Sequence, residues 1–177
     1  MTFQSFMKKL TLFILKLFSF VPALLMLYFI FSFSAQEGTQ SSQLSYRVSH
    51  KVVTVVDQVF DFNLTEKQME HSIDKIHYYI RKTAHFMEYF ILAVCVSLPL
   101  YVYGIRGIWL VLTALILCTG FACLDEYHQL FVSGRVGSYR DVIIDSSGAL
   151  TGIIGTRFVG YIFRKCVFEP IFHKNSF

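Results

Sequence analysis

The chain has 177 residues, 54% of them hydrophobic, with a formal net charge of +4 and a mean hydropathy of +0.52. A soluble domain is about 45–50% apolar; here the excess is gathered into long runs, which excludes an ordinary soluble core. No nucleic-acid-binding motif accompanies the basic balance, so the charge reads as a report of membrane topology and nucleic acid is not an expected partner.

The first element is a span from about Leu10 to Phe33. Thr11 to Phe33 carries a single charge, Lys16, and a nearly uncharged run of about 18 or more residues is long enough to cross a bilayer. Ser32-Phe33-Ser34 places small residues where a signal peptide would be cleaved. The apolar run is about 24 residues, however, against about 7–15 for a signal peptide. An uncleaved anchor is the stronger reading. Residues 35–81 are polar and mixed in charge, and "AQEGTQSSQLS" reads as a loop. From Thr65 the pattern changes. Thr65 and Gln68 have capping-box spacing, and Met69, Ile73, Ile76 and Ile80 recur at helical intervals. An amphipathic helix is expected over Glu66–Ile80, resting on the membrane surface or on the spans and running into the second span with a bend.

The second span is about Thr83 to Tyr103, the third about Ile108 to Leu130 and the fourth about Asp141 to Phe163. "YGIRG" and "VSGRVGSYR" form the turns between them, and the basic Arg164 and Lys165 follow. There are no internal repeats. Residues 1–177 therefore read as a single all-α domain: a polytopic membrane protein with four transmembrane helices plus a short amphipathic surface helix in the first outside loop. Cys95, Cys118, Cys123 and Cys166 form no CxxC pair, so neither a zinc knuckle nor a redox motif is indicated.

The polar residues inside the spans carry the functional question. His85 and Glu88 lie near the start of the second span. Asp125, Glu126, His128 and Gln129 end the third, and Asp141 and Asp145 begin the fourth. Up-and-down connectivity brings these three ends to one side of the membrane. Arg81, His85 and Glu88 are spaced i, i+4, i+7, on one helical face; Asp125, His128 and Gln129 are i, i+3, i+4, and Glu126 shares a face with Gln129 rather than Asp125. Asp141 and Asp145 continue into Gly148, Gly152 and Gly155, a stripe that admits a close neighbouring helix and turns both acids inward. Lys8, Lys9, Arg106, Arg157, Arg164, Lys165 and Lys174 fall nearest one face, so both termini are expected in the cytoplasm and the cluster outside it.

Five carboxylates, Glu88, Asp125, Glu126, Asp141 and Asp145, cannot all stay ionised in one low-dielectric pocket without Arg81, Lys82, Arg135, Arg140, protonated His, a bound cation or protonation. Charged groups within spans default to function. Arg81 and Arg135 suit bidentate holding of phosphate or carboxylate. Glu88, Asp125, Glu126 and His128 are the acid/base candidates. Asp125 and His128 have spacing at which two side chains can share a cation, but "DEYHQ" lacks the HExxH spacing of a zinc protease, and no metal or cofactor is expected. Whether the protein is an enzyme stays open. The alternative is a closed packing network, with His85 paired to Glu88 and Arg135 to Asp141. A transporter is disfavoured by the absence of repeated halves.

"RKTAHFMEYFIL", followed by "DEYHQLFVSGRVGSYRDVIIDSSGALTG", resembles the VanZ-like family of bacterial membrane proteins, and "FSFSAQEG" is similar to the family's Ser- and Gln-containing segment. The resemblance covers about Leu27 to Gly155. It departs at Asp145, where the family often carries Asn. It implies a multi-pass protein of the bacterial plasma membrane whose polar site holds Arg81, Lys82, His85, Glu88, Asp125, Glu126, His128, Gln129, Arg135, Asp141 and Asp145. The family's named member is associated with low-level resistance to teicoplanin, a lipid-tailed glycopeptide. The expected partner is thus a membrane lipid, a lipid-linked envelope precursor or a lipoglycopeptide. The alternatives are a protein whose charges only fix helix packing, and an envelope-lipid hydrolase or transferase.

Overall fold

Every regular element in the computed structural model, which describes residues 3–163, is helical. In chain order these are α1 (Phe3–Phe18), α2 (Val21–Ser34), α3 (Gly38–Phe60), α4 (Glu66–Val102), α5 (Gly107–Gln129) and α6 (Tyr139–Phe163). Four apolar stretches are long enough to cross a membrane: Leu10–Ser34, Glu66–Val102, Gly107–Gln129 and Tyr139–Ile162. The expected fold class is therefore the observed one. The basic tail with Arg164, Lys165 and Lys174, together with Cys166 and His173, lies outside the described residues.

The first span is one apolar run but two helices. The chain breaks at Ser19-Phe20, just before Pro22, because proline is accommodated at a helix start and not in its interior. Ser19 Oγ donates to the Lys16 carbonyl at 2.6 Å and so occupies one acceptor freed at the break.

Two expectations about residues 35–81 change. The Ser- and Gln-rich stretch read as a loop is the first part of α3, a helix of 23 residues. Its buried residues are few, Gly38, Ser49 and Val53, and it lies against α4. The segment Glu66–Ile80 is helical and runs into the second span as expected, but it is no separate surface helix. It forms the first turns of α4, an unbroken helix of 37 residues. At 1.5 Å per residue, α4 is about 55 Å long, against about 30 Å of hydrocarbon. Its N-terminal part must project beyond the bilayer, and α3 accompanies it as a hairpin, with His77 Nε2 at 3.1 Å from the Ser42 carbonyl. The expected cap is present: Gln68 Oε1 accepts from the Thr65 N–H at 3.0 Å.

The core surrounds α4. Tyr89, Leu92, Ala93 and Val96 of α4 meet Ile30 of α2, Ala149 and Ile153 of α6, and the α5 stripe Leu110, Ala114, Cys118 and Ala122. Gly148 and Gly152 let α6 close on α4: a Cβ at either position would collide with the carbonyl of Phe86 or Phe90. Without a solvent-driven hydrophobic force in lipid, this close backbone approach is a main source of helix association. The lipid-facing surface is apolar, as α1 illustrates with Phe13, Leu15 and Phe18 exposed.

Candidate functional site

The α5 stripe of small and apolar residues ends in polar ones on the same side: Asp125, Glu126 and Gln129 are all buried. The α6 stripe begins with buried Asp141 and Asp145 before reaching its glycines. Between them runs the part of α4 that carries Arg81, Lys82, His85 and Glu88. The three polar helix segments do meet, as connectivity requires. They divide into two groups by what their atoms touch.

The first group fastens helices together. Lys82 of α4 pairs with Asp141 of α6. Glu126 Oε2 accepts the Ser138 N–H at 2.7 Å, so the end of α5 caps the start of α6. Arg135, in the turn between them, donates from Nε to the Gln36 carbonyl at 3.0 Å and from Nη2 to the Phe33 carbonyl at 2.8 Å. Phe33 is in the last turn of α2, where its carbonyl also accepts the Gln36 N–H at 3.3 Å, and Gln36 lies in the link between α2 and α3. Gly38 donates to the Ser133 carbonyl at 3.1 Å, and a Cβ at Gly38 would collide with Gly134. The α5–α6 turn is thus stitched to the α2–α3 junction. The pairing of Arg135 with Asp141 considered from sequence does not form: Lys82 takes Asp141, and Arg135 reaches across to α2. Burial lowers the affinity of the Arg135 guanidinium for its proton relative to an exposed arginine, and neighbouring Arg81 adds to this.

The second group has atoms left over. Gln129 Nε2 donates to Asp125 Oδ2 at 3.0 Å, yet Asp125 Oδ1 has no hydrogen-bond partner among the described residues. This pairing follows the i, i+4 spacing of Asp125 and Gln129, and Glu126 is buried beside them. His85 Nδ1 lies 4.0 Å from Glu88 Oε2 and 3.9 Å from Asp145 Oδ1, too far for a hydrogen bond. Buried and without partners are both oxygens of Asp145, Arg81 Nε, Tyr89 Oη, Ser34 Oγ, Glu126 Oε1 and His128 Nδ1. The His128 ring instead packs edge-on against Phe31 at 6.2 Å.

A cavity of about 160 Å³ opens beside this group. Arg81, His85, Glu88, Asp125 and Arg135 supply its charged wall, and Ile30, Phe33 and Leu44 its apolar wall, with Ser34, Gln36, Ser41 and Ser45 between them. Of the expected site residues, these five reach the cavity; Lys82, Glu126, His128, Gln129, Asp141 and Asp145 do not line it. The contribution of α2 and α3 was missed from sequence. Its one signal was "FSFSAQEG", which carries Phe33, Ser34 and Gln36. Among the described residues no three His, Cys, Asp or Glu side chains come together in an arrangement suited to a metal ion.

Fold and site thus define a multi-pass helical membrane protein with a charged cleft at one end of its bundle. The chain belongs to the VanZ/LLP1 family, whose model matches residues 18–162. No curated protein and no solved structure was found to match it.

Proposed function

We propose that the cavity between α2, α3, α4 and α5 holds the anionic headgroup of an amphiphile in the outer leaflet of a bacterial plasma membrane, with both termini of the chain in the cytoplasm. The supporting observation is the convergence of Arg81, His85, Glu88, Asp125 and Arg135 on one small cavity, several of them with buried polar atoms that no protein group satisfies. A network that existed only to fix packing would satisfy its members, because each unpaired buried group costs about 1–3 kcal/mol. The volume limits the ligand. A drug-sized molecule occupies about 300–1,000 Å³, so about 160 Å³ takes a phosphate- or carboxylate-sized group while the apolar tail stays in lipid. Arg81 has an unengaged Nε and is the principal anion donor; Arg135 has committed two nitrogens to α2.

A lipid-linked envelope precursor, a phospholipid and a lipoglycopeptide such as teicoplanin share this chemistry. Membership of the VanZ/LLP1 family favours a contribution to teicoplanin or envelope-stress tolerance. Teicoplanin susceptibility of a sensitive host expressing wild type, Arg81→Gln or empty vector tests the reading, with membrane levels of the protein measured in parallel. Wild type should protect and an equally abundant Arg81→Gln should not. Equal protection by both would remove the cavity from the function.

A further inference from the structure

Toward the other end of the bundle, about 9–20 Å along α4 from Glu88 at 1.5 Å per residue, a second and larger cavity opens. It measures about 620 Å³ and lies between α4, α5 and α6. Its floor is apolar, from Val94, Leu98 and Leu110, and its rim carries Arg106 and Arg157. Among the described residues no acidic side chain lines it, and neither arginine has a carboxylate partner there. Arg157 spends one nitrogen, Nη1, on the Gly107 carbonyl at 2.8 Å. Arg106 lies over the Tyr101 ring at 5.2 Å. Both side chains belong to exposed residues, and the guanidinium nitrogens not used in these contacts face no competing anion in the cavity lining. Arg106 also precedes α5, whose first turn contains no acid; the positive end of that helix dipole adds to the same rim.

We propose that this groove is a binding site for an anionic phospholipid of the adjacent leaflet. The acyl chain lies along Val94, Leu98 and Leu110, and the phosphate sits between Arg106 and Arg157. Two observations select this occupant. A largely apolar groove of this size accepts an alkyl chain at little cost, since the hydroxyls of its Ser97 and Thr156 already donate to the Ala93 and Gly152 carbonyls. The charge at its rim is purely positive, which distinguishes an anionic headgroup from a zwitterionic one. Basic pockets between transmembrane helices recognise headgroups by these means. The site is independent of the cavity described above and shares none of its residues.

Gly160 supplies a probe that leaves the arginines intact. It lines the groove, and a Cβ there meets nothing within 4 Å, so Gly160→Leu fills the acyl path without displacing a helix. The experiment is native mass spectrometry of the full chain in nonionic detergent, titrated with dioleoyl phosphatidylglycerol or dioleoyl phosphatidylcholine. Wild type should bind phosphatidylglycerol preferentially. Arg106→Gln and Arg157→Gln should each weaken it about fivefold, from about 1 kcal/mol per basic residue at a membrane surface, and leave phosphatidylcholine unchanged. Gly160→Leu should reduce the binding of both lipids. Circular dichroism identifies any variant that has lost its helices, and Gly160→Leu then stands in for a failed arginine variant. Equal binding of the two lipids by wild type, retention of the phosphatidylglycerol preference by the folded arginine variants, or undiminished binding by folded Gly160→Leu would each overturn the proposal.

Discussion

The charged cluster contains two kinds of polar residue that composition alone would treat alike. Lys82, Asp141 and Arg135 are engaged with partners on other helices. Arg81, Glu88 and Asp145 stand a few residues away along the same helices, and neither they nor His85 form a side-chain hydrogen bond; Asp125 bonds only Gln129, on its own helix, with one of its two oxygens. The first set resembles the stitching of a helix bundle. The second is a set of donors and acceptors held in place by that stitching. Burial does not separate them, since Asp141 and Asp145 are both buried on one face of α6. The difference lies in whether a partner from another helix is within hydrogen-bonding distance, as Lys82 is for Asp141 and His85, at 3.9 Å, is not for Asp145, and only the folded chain decides that.

Substitutions should divide along the same line. The largest effect is expected just beneath the cluster, at the α4–α6 seam. Gly148→Leu places a side chain where the Phe86 carbonyl already sits. Because the obstacle is backbone, the cost should exceed the usual 1–3 kcal/mol of overpacking, and folded protein should be largely lost from the membrane fraction on immunoblotting. Next comes Lys82→Ala, which leaves buried Asp141 without its cation. Removing one member of a buried pair costs about 3–5 kcal/mol, and the partly exposed Lys82 side chain, 20% accessible, places the loss at the lower end. Thermal unfolding in detergent should show it, and Lys82→Ala with Asp141→Ala should recover part of the loss. Arg135→Gln removes two bonds to the α2–α3 junction. The bond to Phe33 is solvent-exposed and the neutral carbonyls left behind can be hydrated, so the total should be about that of one charge-assisted bond at the low end, about 1.5–2 kcal/mol, less than for Lys82→Ala, with raised hydrogen exchange at residues 33–38. The smallest effect belongs to the lipid-facing surface: Leu24→Ala, at a side chain 61% exposed, should change stability by less than about 0.5 kcal/mol.

Much of this was legible in the sequence, for physical reasons. The spans are legible because a membrane imposes length and apolarity together, and the Gly148–Gly152 stripe because close helix contact requires small residues at a four-residue spacing. The polar positions on α4, α5 and α6 are legible because charge inside an apolar run is costly and therefore conspicuous. Helix α3 was hidden. Its Ser- and Gln-rich start resembles a loop, and the apolar residues at helical spacing, Leu44, Val48, Val52, Val55 and Val59, begin only after it. The wall that Ser34, Gln36, Ser41 and Ser45 contribute was hidden for the same reason. The partner of Arg135 was out of reach because it is a pair of backbone carbonyls some hundred positions earlier in the chain, and carbonyls leave no mark on a sequence.

We propose that the unpaired set serves a ligand and not the packing. The most direct measurement compares thermal unfolding of purified Glu88→Gln and Asp125→Asn with that of Lys82→Ala. Both isosteres keep the side-chain shape, and Asp125→Asn retains an acceptor for Gln129. Each should unfold within about 2 °C of wild type, or above it, while Lys82→Ala falls by about 6 °C or more, since 1 kcal/mol corresponds to about 2–4 °C in a chain of this size. If both isosteres fell as far as Lys82→Ala, the whole cluster would be stitching, and the cavity would lose its claim to a ligand.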